Sequence, residues 1–506
     1  MTRLKSTYTV RRLAPLALSL TLGACTVGPH YKTPAVVPAE SGAKYTESAL
    51  AAQTATAPGP SGEAQQFGVG QEIPAQWWTL FQSESLDQLI RQAIANSPSL
   101  GAAQAALRQA EESYSSTSGT LTAPAVSAGL TGGRQRSSAL NSGLPGGIEY
   151  NLYNASVNVA YTVDVFGGNR STLEGQQAAI DYQRFQVEAT YLTLTSNVVT
   201  AAIREASLRA QLEANQELLL DQANQLSVVE KQYAAGAVSL PAVLAQRSAL
   251  ASLRASIPSI EKSLALTRHQ LAVLAGQAPG QAKLAQFNLD SLHLPQTLPV
   301  SLGSDLVRQR PDIRASEALL HQASAQVGVA TANLYPQFNL TANMSSSASN
   351  PSQMFNAGSA GWSLLGGITQ PLFNGGALDA KRRAAQAAYE AAQNQYRSVV
   401  LQAFQNVADS LGALEYDASS LQQQSAAADA AKQSLDISQR QYEVGAVSYL
   451  ALMDARRSYQ QTYINWVSAR AARYADTAAL FQALGGGWWN RGSLPSALLP
   501  GQVADH

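Results

Sequence analysis

The chain has 506 residues, enough for several cores or one elongated body. Charged residues make up only 13% of it, about half of the roughly 25% usual in soluble domains, and the formal net charge is zero. This balance gives no electrostatic case for binding nucleic acid or an anionic surface. No run reaches the roughly 18 apolar residues of a transmembrane helix, so any membrane crossing is expected to use strands.

The amino terminus has the pattern of a secretory signal, which we predict over residues 1–24. Basic residues precede a short apolar stretch, residues 13–22, that is too short for an anchor helix. The stretch ends in Leu-Gly-Ala-Cys, which resembles the bacterial lipobox, and Cys25 is the only cysteine. We therefore predict lipidation of Cys25, the alternative being a free thiol beside a plain cleavage site. Thr26 is not the aspartate typical of inner-membrane retention, which favours the outer membrane.

The next part of the chain is expected to lead into a folded body. Residues 25–76 are rich in proline, alanine, glycine and threonine, which predicts an extended, lipid-anchored leader. Trp77, Trp78 and Phe81 mark the start of the folded part. Apolar residues at helical spacing then predict a helix over residues 86–112.

From residue 123 the hydrophobic period becomes that of a β-strand. Residues 153–165 alternate apolar with polar or small side chains throughout, well beyond the usual strand of about 5–6 residues. A partner strand begins at Val126, and residues 338–345 with a partner from Trp362 repeat the scheme. Length and alternation predict transmembrane strands with an apolar outer face and a polar inner face. The alternative is a soluble two-sided hairpin.

A very long helix is predicted after each strand pair. Residues 176–235 contain neither glycine nor proline, and at 1.5 Å per residue such a helix spans roughly 90 Å. Its apolar residues keep heptad spacing up to Leu208, and a slip of the frame to Leu212, Leu219 and Leu226 then predicts a stutter. In the second half, apolar residues between 400 and 421 alternate by three and four, as in coiled-coil packing.

The chain repeats itself once. The segment at 232–239 returns at 441–448, and in both copies a glycine, Gly236 or Gly445, stands where a left-handed helix cap is needed. Ser239 and Ser448 then suit the N-cap of a returning helix. We therefore predict two tandem units, each a helix, two membrane strands and a long helical hairpin. Their expected limits are 77–276 and 310–487, with a connecting equatorial segment at 277–309 and a tail at 488–506.

Four strands cannot close a barrel, and open sheet edges are not tolerated in lipid, so other copies must complete it. Three chains give twelve strands, the smallest count expected to leave an open lumen. The predicted fold class is a mixed α+β membrane protein, a trimeric 12-stranded transmembrane β-barrel continued by a long α-helical barrel below the membrane. The family resemblance described next implies that this helical barrel is periplasmic.

Several segments resemble the TolC-like outer-membrane factors of tripartite efflux systems, specifically their lipoprotein (NodT-type) branch. They are residues 25–34, 77–81, 310–317, 327–336 and the two tip repeats. The resemblance implies a homotrimer in the outer membrane of a Gram-negative bacterium. It also implies a periplasmic adaptor and an inner-membrane pump, commonly a proton-driven one of the RND type, which the channel serves as a passive exit duct.

The same resemblance implies functional positions at the hairpin tips. Adaptors dock on the tip turns of this family, which points to Gly236, Ala237, Val238, Gly445, Ala446 and Val447. Tyr233 and Tyr442 match positions that help hold the tip closed, although ordinary tip packing is the alternative. Asp454 matches an aspartate that can face the pore, where three copies form an anionic ring. Its alternative is a surface carboxylate paired with Arg457.

Catalytic and metal-binding patterns are absent from the sequence. It contains no HExxH, GxSxG or Walker motif, one cysteine and four methionines. We expect no enzyme, no metal and no cofactor. Two other functions remain open at this point, the exit duct of a type I protein secretion system and a lipid-anchored structural coiled-coil protein of the envelope.

Overall fold

The computed structural model describes residues 27–34, 45–46, 50–138, 147–301, 303–356 and 358–491. The chain divides into two compact units. The first comprises Met1–Pro34, Ala106–Arg184 and Ala315–Tyr396, and the second comprises Ala35–Ala105, Phe185–Arg314 and Arg397–His506. Within the described ranges, no helix combines the length and the apolar character needed to cross a membrane.

An antiparallel four-stranded sheet in the order β2-β3-β5-β6 lies in the first unit. The strands are β2 (Ala125–Ser137), β3 (Ile148–Val163), β5 (Gln337–Ala348) and β6 (Ala360–Thr369). Val157 pairs with Ala128 on one side and Met344 on the other, so the apolar positions share one face. On the opposite face Thr162 donates a hydrogen bond to Asn339 at 2.9 Å. The predicted strands and their alternation are confirmed.

The predicted helix over 86–112 is two helices in the structure, α1 (Glu84–Asn96) and α2 (Pro98–Thr122). Ser97 between them has an extended backbone, with φ −69° and ψ 115°. The break follows from Pro98, which lacks an amide N–H and disfavours a helical conformation in the residue before it. The Ser97 hydroxyl caps α2 by accepting from the amide of Leu100 at 3.3 Å.

The two helical hairpins are confirmed. The first consists of α3 (Gly168–Ala234) and α4 (Leu240–Leu274), and the second of α7 (Ala377–Glu443) and α8 (Tyr449–Ala483). Two further helices, α5 (Gly303–Gln309) and α6 (Pro311–Ala332), precede β5.

The sequence predicted that the heptad frame of α3 slips after Leu208. Burial within the single chain shows that this prediction is wrong for contacts inside the chain. Buried residues continue the original heptad through Asn215, Gln222 and Val229, whereas the leucines of the predicted frame are only half-buried. In α7, by contrast, the apolar residues predicted to pack between positions 400 and 421 are buried, with the exception of half-buried Phe404.

The core of the second unit lies around the 3₁₀ helix Trp77–Phe81. Trp77 is 1% exposed and stacks on Phe481 of α8 with 5.3 Å between ring centroids. The leader residues before it are tied to the same unit, because β1 (Gln66–Val69) pairs in parallel with β4 (Thr297–Val300). Arg473 of α8 is fully buried and donates to the carbonyl of Ser61 at 2.6 Å.

The first part of the leader contacts the first unit. The amide of Val27 donates to the carbonyl of Phe166 at 3.1 Å, and Tyr31 stacks on His321 with 4.3 Å between centroids. The Thr33 hydroxyl donates to Glu317 at 2.6 Å. These residues are therefore held along the protein, although the sequence predicted only that they are extended.

Candidate functional site: the hairpin tips

Each tip is closed by a left-handed glycine. Gly236 has φ +74° and Gly445 has φ +76°. The amide after each glycine reaches back to the helix, from Ala237 to the carbonyl of Gln232 and from Ala446 to that of Gln441, both at 2.8 Å. This is the hydrogen-bond pattern of a Schellman cap, in which glycine avoids the steric cost of a positive φ. The predicted helix ends are confirmed.

The returning helices begin differently in the two tips. Both Ser239 and Ser448 occupy the predicted N-cap position. The Ser448 hydroxyl accepts a hydrogen bond from the amide of Ala451 at 3.2 Å, but the Ser239 side chain makes no capping bond. The first tip instead has Pro241 in its first turn, where the missing N–H costs nothing.

The two tips are joined by tyrosine–glutamine hydrogen bonds. The Tyr442 hydroxyl donates to the side-chain carbonyl of Gln232 at 2.9 Å, and Tyr449 donates to Gln246. Gln246 is fully buried and also donates to the carbonyl of Gln222 at 3.2 Å. Burial first, and then neighbouring Tyr442, raise the pKa of Tyr449. Tyr442 therefore ties one hairpin to the other, whereas Tyr233 is 44% exposed.

The predicted docking residues lie at the surface. Gly236, Ala237, Gly445 and Ala446 are exposed, and Val238 and Val447 are half-buried.

Sequence reasoning missed the apolar residues around these turns. Leu240, Leu244, Val444 and Leu450 are 47% to 79% exposed. The signal available in the sequence is their position, because each lies within eight residues of a tip glycine in a chain with few charged residues.

Asp454 lies on the exposed side of α8. Its carboxylate is 3.8 Å from the Arg457 guanidinium, and the two side chains are 64% and 76% exposed respectively. The adjacent residues Leu452 and Met453 are buried and mark the opposite side of the helix. The loose pair with Arg457 is thus present, and the carboxylate is free to interact with solvent or ions.

Two further predictions concern sites away from the tips. Cys25 lies outside the described residues. Across the ranges that the structure describes, no three His, Cys, Asp or Glu side chains are placed to hold a metal ion.

Comparison with known proteins gives a consistent result. The outer membrane efflux protein family model matches residues 89–277 and 302–486. The pyoverdine export outer membrane protein OpmQ of Pseudomonas aeruginosa is 33% identical over 424 residues, covering 82% of this chain and 87% of OpmQ. The cation efflux system protein CusC of Escherichia coli K12 is 28% identical over 490 residues, covering 94% of this chain and 99% of CusC. The solved outer-membrane channel OprN superposes with a TM-score of 0.81 at 26% identity, covering 92% of this chain and 100% of OprN.

These likenesses confirm the fold class predicted from the sequence. It is a trimeric outer-membrane channel made of a β-barrel and an α-helical barrel, with two repeats in each chain and a four-stranded sheet among the described residues. They also confirm localisation to the outer membrane of a Gram-negative bacterium. The alternative of a structural coiled-coil protein is excluded.

Proposed function

The chain belongs to the outer membrane efflux protein family, and we propose that it is the exit duct for a periplasmic adaptor and a proton-driven RND-type pump. The observation that carries this proposal is the pair of joined tips, which present exposed turns and an apolar rim. The relatives are channel proteins, and we propose that this chain likewise acts without a catalytic step. Two relatives are named for different cargo, pyoverdine and cations, which supports a duct whose pump chooses the cargo.

The adaptor docks, in this proposal, on Gly236, Ala237 and Val238 of the first tip and Gly445, Ala446 and Val447 of the second. Small exposed residues allow close backbone approach, and the surrounding leucines and valines supply apolar area. Placing an arginine here should block docking without disturbing the helices.

The test uses cells in which the channel is expressed together with an adaptor and an RND-type pump whose export depends on it. Ala446→Arg is expected to lower export by at least tenfold, while the control Ala426→Arg, in the body of α7, leaves it unchanged. Trimer yield is measured for both variants. Equal export by both variants would show that the second tip is not a docking surface.

The pore constriction is proposed to include Asp454 from each chain, with Tyr233 and Tyr442 nearby as gate residues. Three converging carboxylates favour cations. In planar bilayers Asp454→Ala should therefore weaken cation preference. The first hairpin provides a converse variant, because the exposed Ala245 occupies the equivalent position. Ala245→Asp should strengthen the preference, and unchanged selectivity in both variants would return Asp454 to a solvated partner of Arg457.

We also propose that Cys25 carries the acyl chains that anchor the leader in the outer membrane. Its neighbour Val27 is held against Phe166, close to the end of β3. Intact-mass measurement of the mature protein should show a lipid-modified cysteine as its first residue. An unmodified Cys25 would refute the lipid anchor and leave the duct itself untouched.

A further inference from the structure

The connection between β5 and β6 folds back over the apolar face of the sheet. It contains the 3₁₀ helix Pro351–Gln353, followed by Met354, which is only 6% exposed. The hydroxyl of Ser346, on the apolar face of β5, donates to the carbonyl of Met354. The hydroxyl of Ser359 donates to the same carbonyl at 3.0 Å. The Ser346 hydroxyl therefore fixes the connection against the sheet, and the Ser359 hydroxyl holds the same carbonyl from within the connection.

A cleft of about 600 Å³ lies between this connection and the strands. We call it the lateral cleft. Its walls include Leu130 of β2, Val157 of β3 and Met344 of β5, with Met354 and Phe355 from the connection. None of the residues lining it is charged. The volume lies within the roughly 300–1,000 Å³ of ordinary ligand pockets, and the hydroxyl contacts keep the cleft formed before anything enters it.

The lateral cleft opens on the side of the sheet that meets the membrane. Val157 and Met344 are 43% and 64% exposed in the chain and belong to the apolar face. In a closed barrel the polar face lines the lumen and the apolar face contacts lipid. The connection joins the strand ends remote from α6 and α7, so with the helices in the periplasm it lies on the outer side of the membrane.

We propose that the lateral cleft binds an acyl chain of an outer-leaflet membrane lipid. The inference rests on the proposed function only through the orientation of the barrel in the outer membrane. It adds one lipid-binding site per protein chain to the channel. At this site the β5–β6 connection covers the bound acyl chain.

The chemistry of the walls selects an acyl chain over other occupants. Of the polar residues in the lining, Ser156 and Ser345 belong to the opposite face of the sheet, and the Ser346 hydroxyl is bonded to Met354. Water would therefore find few hydrogen-bond partners besides Asn356, and an unfilled void forfeits the contacts of its lining. A phosphate headgroup would find no cation among the lining residues. The flexible thioethers of Met344 and Met354 suit an occupant with no fixed shape.

Native mass spectrometry can test this on the whole trimer. The protein is delipidated, incubated with dimyristoyl phosphatidylethanolamine, whose acyl chains stand in for those of the outer-leaflet lipid, and activated until loosely held detergent is removed. We expect one lipid to be retained per chain. Val157→Trp fills the cleft and should lower occupancy by at least tenfold. Val159→Trp is the matched control, with the same substitution two residues along the same face of β3 but outside the lining, and it should retain the lipid.

Two further arms exclude a folding defect and a headgroup site. Ser346→Ala releases one contact of the connection without filling the cleft and should lower occupancy several-fold. Dimyristoyl phosphatidylglycerol, with the same chains and a different headgroup, should be retained equally. No retained lipid in the native trimer, equal retention by Val157→Trp and Val159→Trp, or a tenfold preference between headgroups would each overturn the proposal.

Conductance of the same preparations separates this inference from the duct itself. A trimer that conducts but retains no lipid overturns the lateral cleft alone. A trimer that retains lipid but forms no pore in planar bilayers counts against the proposed function and leaves the lipid site standing.

Discussion

The two helical hairpins have the same dimensions and different interiors. Both α3 and α7 contain 67 residues, and both α4 and α8 contain 35. Yet in the first hairpin buried polar groups, among them Glu205, Asn215 and Gln222, interrupt the apolar contacts, whereas α7 of the second buries a regular apolar stripe over residues 407–421. The repeated length and turn therefore do not depend on a repeated core.

The polar bridges of the first hairpin centre on Glu205, which is completely buried. Its carboxylate accepts from Arg209 at 2.5 Å, from Arg268 of α4 at 3.0 Å and from the amide of Phe287 at 2.8 Å. Towards the tip, Gln246 of α4 donates to the carbonyl of Gln222 in α3. Because these partners must meet at fixed positions, we expect the polar contacts to set how α3 and α4 align.

The stripe of the second hairpin includes Val407, Leu411, Leu414 and Leu421, each at most 1% exposed. Apolar contacts of this kind are non-directional and tolerate small shifts along the helix axis. The comparison teaches that one hairpin geometry can be reached with specific polar bridges added to the apolar contacts or with a regular apolar stripe.

Loss of Glu205 should be the most damaging change. Glu205→Ala leaves the Phe287 amide without its acceptor and leaves Arg268 with only the carbonyl of Leu284, and breaking a buried ion pair in this way costs about 3–5 kcal/mol. The detergent-solubilised trimer should show a large fall in its urea midpoint. Leu414→Ala in the second hairpin is the comparison, with an expected cost of about 2–5 kcal/mol from cavity formation. A Glu205→Ala effect well below that of Leu414→Ala would contradict the importance given to the polar interior.

A carboxylate pair makes the second hairpin sensitive to pH. Burial, and then the hydrogen bond and charge of Asp417 on α7, raise the pKa of Asp476 on α8 to about 7 from its usual 3.8. As pH rises, the unfolded chain loses the Asp476 proton near the usual pKa of 3.8, whereas the folded chain keeps this proton until about pH 7. The contribution of Asp476 to stability should thus be greatest below about pH 4 and be lost as pH rises to about 7.

Asp476→Asn should abolish this dependence while keeping the shape of the side chain. At pH 8 the variant is expected to be more stable than the native protein by on the order of 1 kcal/mol, after discounting for the exposed part of the carboxyl. Melting temperatures recorded from pH 5 to pH 8 would check it. Parallel curves for variant and native protein would show that Asp476 does not titrate in this range.

The smallest expected difference lies at the start of the returning helices. Ser448→Ala removes a capping bond and should destabilise the second hairpin by about 1 kcal/mol. Ser239→Ala removes no such bond and should be close to neutral. Protection of tip amides in hydrogen exchange would register the effect locally, and an equal response of the two tips would show that the caps do not distinguish them.

The sequence predicted those elements whose pattern is local. Alternation over 153–165 defined a strand because one face of it is apolar along its whole length. Glycines at 236 and 445 marked the tips because a positive φ is costly for other residues. At the candidate site, the sequence predicted the tip turns and the N-cap positions of the returning helices. The family resemblance pointed to Tyr442 and Asp454 as functional positions.

What escaped prediction depends on contacts that leave little local trace. Leu212 and its heptad partners suggested a new frame, but buried Asn215 and Gln222 continue the old one because the interior there is polar. The bond from Tyr442 to Gln232 joins residues far apart in the sequence, and neither residue type announces its partner. The pairing of β1 with β4 involves strands of four residues each, too short to show a period.

That short parallel pairing constrains the order in which the chain can fold. Gln65, beside β1, donates to the carbonyl of Pro295, which is separated from it by 230 residues in the chain. Closing so long a loop is entropically costly until the intervening hairpin has formed and brought its ends together. During export the leader is therefore expected to remain undocked until residues beyond 300 have emerged, which would leave the proposed lipidation site at Cys25 accessible to modifying enzymes during that interval.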